Sequence, residues 1–401
     1  MPTTSQKILL CNAQLLDTDK ACFTPGEMLI ADGRILAVGA PDTLPREDVQ
    51  ILDACGAPVT PGLVDIHTHG RAGGDFISAD VDQLCRMSRS YITSGVTTVM
   101  PTLASAPIEE FSAAAARIHT AAKQADGARL LGIHLEGRYL NEKKRGAHAA
   151  HLLAPLHADE LETLYSALTK DATEPMPVRV SAAMELDQSG EFVKTAHLLG
   201  IALSLAHTQA TYDQATELIA RGVNCFTHLY NAMPPLHHRD GGAVAACLDS
   251  NAYGEIICDG FHIAPHMVRL SYRLLGHKRM VLVSDSMEGT ACPDGNYTIA
   301  GMDVIVKDGK VYTTDGAIAG STIGLFEAVC NLKKFCDIPL AQALCCATVN
   351  PARAARIDHL VGTFKVGAYA DFCVLREDGD TVSLLATYVG GVIQGGEALH
   401  A

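Results

Sequence analysis

Two histidines separated by one residue, His67 and His69, close the stretch Pro61-Gly-Leu-Val-Asp-Ile-His-Thr-His-Gly70. The run from Leu63 to Ile66 has the character of a buried strand, and side chains alternate faces along a strand. Residues two apart point the same way, so both imidazoles can converge on one metal ion at the strand's C-terminal end. In Gly132-Ile-His-Leu-Glu-Gly137, His134 and Glu136 likewise share a face, and Gly137 permits an abrupt exit. A carboxylate has two oxygens. Glu136 can therefore bridge two ions, one held by His67 and His69, the other by His207 and His228. His134 is surplus to two four-ligand sites and reads as a group that supports the ligands from behind. Asp285, in Val283-Ser-Asp-Ser-Met287, has no histidine beside it in sequence and suits a general base that takes a proton from water. Imidazole and carboxylate donors suit zinc or iron-type divalent ions without selecting between them.

Such a set needs a frame that brings distant strand ends together. Eight runs of strand length occupy the middle of the chain: Val64–His69, Thr97–Leu103, Arg129–Glu136, Val178–Glu185, Ala202–Thr208, Asn224–Tyr230, Glu255–His262 and Arg279–Ser284. Helical periodicity separates most of them, at Asp80–Thr93, Ile108–Ala125, Asp159–Thr169, Tyr212–Ala220 and Ala264–Leu275. Strand–helix alternation repeated in this way predicts a parallel sheet closed as a (β/α)₈ barrel over residues 61–357. The flanks, residues 1–60 and 358–401, are strand-and-turn material and predict a small β-sandwich domain formed by the two ends together. A segment at Tyr297–Asp315, with Lys307-Asp308-Gly309-Lys310 between apolar runs, predicts a hairpin inserted after strand eight. In a barrel of this type chemistry sits at the C-terminal strand ends. Those ends carry His67 and His69, His134 and Glu136, His207, His228, Asp259 and His262, and Asp285. The chain has 17 histidines, so any one of them could be idle, but the set on one rim points to a metal site.

With 401 residues, 48% hydrophobic and 19% charged, the chain fits a soluble enzyme with a large core. No apolar run approaches the roughly 20 residues that cross a bilayer, and the start has no signal-peptide pattern. Thirteen cysteines without CxxC spacing read as reduced thiols of a cytoplasmic protein. A formal charge of −14 at pH 7 argues against nucleic acid and against anionic membranes. An anionic substrate would need a local cationic pocket. The densest positive patches are Lys143-Lys-Arg145 with His148, and His237-His-Arg239.

The whole chain resembles the amidohydrolase superfamily, and within it the deacetylases of amino-sugar phosphates. The resemblance rests on Pro61–Gly70, His134–Gly137, Lys144–His148, Thr227-His-Leu-Tyr-Asn-Ala-Met-Pro234, Asp259-Gly-Phe-His262, Val283-Ser-Asp285 and Ala319-Gly-Ser321. It implies that Glu136, His207 and His228 bind the principal metal and that Asp285 is the catalytic acid/base. Both His67 and His69 are present here, although some members lack that pair and use one ion, so one or two zinc ions are implied, with Fe²⁺, Co²⁺ or Mn²⁺ as alternatives. Substrate contacts are implied from Ala147, His148, Asn231, Ala232, Arg239 and His262, with Ile318, Ala319 and Gly320 on the acetyl side. Arg239 is implied to reach the phosphate of a neighbouring subunit, hence a homodimer. The family usually has proline after Gly137; this chain has Arg138, whose guanidinium either contacts substrate or pairs with a nearby acid.

The implied reaction is hydrolysis of the acetamide on a 6-phosphorylated amino sugar. The galactosamine epimer or an unphosphorylated sugar is the alternative, as is a non-catalytic sugar-phosphate sensor, which would be expected to have lost a ligand or the base. Cyclic-amide hydrolases bridge two metals with a carboxylated lysine on strand four, and Val178–Glu185 contains no lysine.

Overall fold

Parallel strands buried on both sides must be apolar on the face that meets the helices, and the eight runs satisfy this. In the computed structural model, which describes residues 7–170, 172, 176–314 and 316–399, they become Leu63–Thr68, Val96–Leu103, Ile133–Glu136, Val178–Ala182, Ala202–Leu205, Cys225–Phe226, Tyr253–Ile257 and Met280–Val283. Each pairs in parallel with the next in sequence order. Several are shorter than their apolar runs. The third breaks at Gly132, which has φ +85°. The sixth stops at Phe226, because His228 and Tyr230 adopt positive φ.

The ring is completed by a different set of bonds. Near its start the first strand gives its Val64 N–H to the carbonyl of Ala347, and the eighth gives Leu282 N–H to that of Cys346. That later segment thus fills the gap where the two strands splay. Toward their C-terminal ends they meet directly: Asp285 N–H donates to the His67 carbonyl at 2.9 Å. The Asp65 carboxylate accepts from the N–H and hydroxyl of Ser284 at 3.3 and 2.5 Å. Burial pushes the Asp65 carboxyl up to about 6 against those hydrogen bonds.

Helices cover the outside of the ring. Ile108–Gln124 buries Phe111, Ala114, Ala115, Ile118 and Ala121, a single stripe at helical spacing. Tyr212–Ala220 opens on a reciprocal cap between Thr211 and Gln214. No helix of the described residues is long and apolar enough to cross a membrane.

The flanks pair with one another in one mostly antiparallel sheet. Its strands are Lys7–Asp17, Cys22–Ala31, Arg34–Gly39, Val49–Asp53 and Pro58–Pro61 from the start of the chain, and Phe372–Asp378, Thr381–Val389 and Val392–Gly396 from its end. Lys7–Asp17 changes partner along its length, pairing with Val49–Asp53 first and with Pro58–Pro61 after a bulge between Leu10 and Ala13. A core separate from the barrel's includes Leu10, Met28, Val59 and Phe372 stacked on Tyr388.

The segment expected as a hairpin after strand eight is a three-stranded antiparallel sheet: Gly295–Ile299, Met302–Lys307 and Lys310–Thr313. Ala300 and Gly301 take positive φ and make the additional turn. Asp315, at the end of the expected hairpin, and residues 1–6, 400 and 401 of the flanks lie outside the described residues.

Candidate metal and hydrolytic site

Three of the polar residues at the strand ends stand two positions beyond their strands: His207 after Leu205, His228 after Phe226, Asp285 after Val283. All three have positive φ, at 45°, 31° and 47°. That region is costly for residues with a Cβ and clusters at functional sites. Here it bends each chain sharply as it leaves the barrel and turns the side chain inward. Glu136 ends its own strand, and Gly137 beyond it has φ +140°, where a Cβ would lie 2.4 Å from Ser105.

These bends converge on Glu136. Its Oε2 lies 3.1 Å from Nε2 of His67 and 2.8 Å from Nε2 of His69. Its Oε1 lies 3.0 Å from Nε2 of His228 and 3.4 Å from Nε2 of His207. One carboxylate therefore faces a pair of imidazoles with each oxygen. Asp285 Oδ1 is 3.4 Å from Nε2 of both His67 and His69. In sequence it has no histidine neighbour; in space it has two, because strand eight returns beside strand one.

The hydrogen-bond pattern bears on whether these residues fit a metal. His207 Nδ1 lies 2.7 Å from the carbonyl of Lys144 and must carry the proton there. Its Nε2, when the ring is neutral, is then a bare lone pair aimed at a carboxylate oxygen and at the Nε2 of His228, 3.1 Å away. Opposed donor lone pairs at this spacing fit a cation between them. His67, His69, Glu136 and Asp285 have donor atoms close enough to hold one ion together, as do Glu136, His148 and His207. The field has the matching sign. Burial resists charging of His67 and His69, yet Glu136 and Asp285 outweigh it, holding His67 well above the usual imidazole range and His69 at about 9. Glu136 is held well below the usual carboxylate range despite burial, by His67 and by hydrogen bonds from His207 and His228. The donor set is compatible with divalent metal.

His134 does not face this centre. Its Nε2 meets Ser181 Oγ at 2.7 Å and its Nδ1 meets Thr102 Oγ1 at 3.0 Å, so it is locked into the polar interior of the barrel beside His67.

Above the histidines opens a cavity of about 360 Å³. Ala147, His148, Asn231, Ala232, His262, Ile318, Ala319 and Gly320 line it, together with His69, Glu136, His207, His228 and Asp285. Burial and the neighbouring His207 push the His148 imidazole down to about 3, and Ser105 Oγ holds its Nδ1 at 3.0 Å. Asp259 binds His262 Nδ1 at 2.6 Å, leaving Nε2 without a hydrogen-bond partner among the described residues. Arg239 is absent from the lining; it is exposed, its guanidinium 2.8 Å from His238 Nε2. Arg138 turns away as well, in a two-pronged pair with Glu160 at 2.7 and 2.9 Å. Of the two outcomes open for it, pairing with an acid is the one seen.

The lining also holds Ile257, which ends the seventh strand, and residues that strand ends could not indicate: Lys143, Lys144, Gly146, Ile299 and Ala300. Lys144 gives its ammonium to the Met233 carbonyl, and Arg145 binds that of His148. Lys143 and Lys144 both border the cavity, and Lys143 is the one whose ammonium is not engaged by a hydrogen bond among the described residues. The density of charge in Lys143–Arg145 was the available signal.

A metal-compatible cluster on the C-terminal rim of a (β/α)₈ barrel agrees with the match of residues 59–394 to the model of the amidohydrolase family, and the chain belongs to that family. An N-acetylglucosamine-6-phosphate deacetylase from Vibrio furnissii is 36% identical over 82% of this chain and 81% of its own. An N-acetylgalactosamine-6-phosphate deacetylase from Escherichia coli O157:H7 is 32% identical over 90% of this chain and 94% of its own. Among solved structures, a mutant N-acetyl-D-glucosamine-6-phosphate deacetylase from Mycobacterium smegmatis, in complex with N-acetyl-D-glucosamine-6-phosphate, is similar with a TM-score of 0.84 and 30% identity. It covers 97% of this chain, which in turn spans 99% of that one.

Proposed function

We propose that this chain hydrolyses the acetamide of N-acetyl-D-glucosamine 6-phosphate to D-glucosamine 6-phosphate and acetate, acting as a cytoplasmic homodimer with one or two zinc ions. The observation that carries the reading is Glu136 facing two imidazole pairs, with Asp285 at the same centre, under a cavity of sugar-phosphate size. Divalent metal held there supplies Lewis acidity toward the amide carbonyl and makes a water easier to deprotonate.

The residues do the rest. Despite burial, His67 and hydrogen bonding from His69 hold Asp285 below the usual carboxylate range, so it is ionised at neutral pH. Its carboxylate takes a proton from the attacking water and returns it to the departing nitrogen. His148 stays neutral through the working range and is free to hydrogen-bond the sugar or the developing oxyanion. Ile318 to Gly320 and Ile299 supply a small apolar wall suited to the acetyl methyl. Lys143 offers a cation to the phosphate from within the chain, and Arg239 from the neighbouring subunit.

The test is a deacetylation panel on the zinc-loaded protein: the 6-phosphates of N-acetylglucosamine and N-acetylgalactosamine, and each unphosphorylated sugar. The highest kcat/KM is expected for the glucosamine 6-phosphate. Preference for the galactosamine epimer, the activity named for the E. coli relative, would move the substrate while leaving the chemistry.

A further inference from the structure

Barrels of this kind are normally filled by branched apolar side chains. This one carries an ion pair across its lumen. Arg179 on the fourth strand and Glu255 on the seventh are both wholly buried, and Arg179 Nη2 binds Glu255 Oε1. Arg179 Nη1 also approaches the Ile66 carbonyl at 3.4 Å and His134 Nε2 at 3.3 Å. A buried pair is often no more stabilising than well-packed apolar residues of similar volume, so stability alone does not account for it.

The second oxygen of Glu255 has a more specific place. Oε2 lies 3.0 Å from Nδ1 of His67 and accepts the backbone N–H of His228 at 3.1 Å. One atom thus touches a residue from each half of the site. The bond to Nδ1 fixes the imidazole: with its proton toward Glu255, His67 presents Nε2 as a lone pair toward Glu136 and Asp285. The bond to His228 N–H anchors a residue whose backbone is strained at φ 31°. No other member of the set has such support. His207 leans on a neutral carbonyl, and the Nδ1 atoms of His69 and His228 are buried with no hydrogen-bond partner among the described residues.

We propose that Glu255, held in place by Arg179, is a positioning residue that makes His67 and His228 competent to hold divalent metal, tying the two halves of the site together from beneath. The proposal rests on the metal-dependent reading above. Carboxylates that orient a ligating histidine typically change metal affinity by about 10–100-fold when altered, and Arg179 keeps this one ionised and aimed.

The experiment is a zinc titration of the chelator-stripped, full-length protein against a chromophoric chelator, with thermal melts of the stripped protein in parallel. Glu255→Gln keeps the volume but removes the charge. The double variant Arg179→Met with Glu255→Met removes both charges together, so it carries the test if the single variant does not fold. Zinc affinity is expected to fall about 10–100-fold in either variant, with activity lost at limiting zinc and regained in excess. Folded variants that bind zinc with unchanged affinity and stoichiometry, whatever their melting temperature, would reduce the pair to a structural role and overturn the proposal. If the wild-type protein takes up no zinc, the metal reading itself fails and the proposal falls with it.

Discussion

Asp285 and His67 are joined twice across the seam of the barrel. The Asp285 N–H donates to the His67 carbonyl at 2.9 Å, and its Oδ1 stands 3.4 Å from the His67 Nε2. Closing the ring and placing the proposed base next to the histidine pair are therefore one event. Asp285→Asn keeps the backbone link and the volume but loses the proton acceptor. kcat is expected to fall by about 10²–10⁴-fold, while zinc bound by the Glu136, His207 and His228 group persists. Near-normal kcat at saturating zinc would remove Asp285 from its role.

The two oxygens of Glu136 serve different imidazole pairs, so the halves should separate by mutation. Replacing His67 and His69 together with alanine is expected to lower the zinc content of the loaded protein and slow turnover. His207→Ala is expected to abolish it. Elemental analysis of the wild-type protein in excess zinc decides the count, and a value that never exceeds one ion per chain would exclude the two-metal reading.

Protons and metal compete for the same nitrogens. His69 titrates at about 9, and His67 is also raised, in the protein without metal. A folded-state value above the unfolded one, near 6.5, gives stability that is complete below about 6.5 and is lost as pH rises toward about 9. Stripped protein should therefore melt progressively lower across that window. Zinc uptake should strengthen over the same range, because binding no longer has to displace protons. Melting curves and zinc titrations at several pH values check both, and flat behaviour in both would contradict the raising of His67 and His69 by Glu136 and Asp285.

Arg138 is tied to Glu160 instead of the cavity. Its own φ of 62° cannot be adopted by proline. Arg138→Ala should cost no more than about 1 kcal/mol, since the pair is partly exposed to solvent. The hydrogen bond from Arg138 lowers the Glu160 carboxyl, so this contribution should be present above the ordinary carboxylate range and fade as the pH falls below it. Substrate preference should not change. A shift in the ratio of kcat/KM between sugars would return Arg138 to the substrate.

Arg239 is outside the cavity of its own chain, and a role in phosphate binding would have to come through a second subunit. Hydrogen bonds to charged groups are each worth roughly 1.5–3 kcal/mol, so losing a two-pronged contact should lower kcat/KM by about two to four orders of magnitude. Arg239→Ala should show this on the 6-phosphate and not on the unphosphorylated sugar. Mixing it with a Glu136→Ala variant, which lacks the bridge but keeps Arg239, should restore part of the activity on phosphorylated substrate if the sites are shared. Equal losses on both sugars, without restoration, would make its effect indirect.

Much of the site was legible because local periodicity marks it. Strand alternation put His67 beside His69, apolar runs ended in His207, His228 and Asp285, and helical spacing between them called for a closed parallel barrel. Those signals extend over a few residues and depend only on backbone geometry. Whatever depends on two strands far apart in sequence was not available from them. The closeness of Asp285 to His67 and His69 exists only once strand eight has returned to strand one, with Cys346 and Ala347 filling the gap at the other end of the seam. Arg179 and Glu255 are 76 positions apart and look like ordinary polar residues in buried strands; only the twist that closes the ring points both into the same lumen. The extra strand over the cavity came from a two-residue turn at Ala300 and Gly301, where a single glycine inside an apolar run gives only a weak turn signal. The residue types set which chemistry the chain can support, and ring closure decided which of them meet, because contact across a barrel is a property of all eight strands at once.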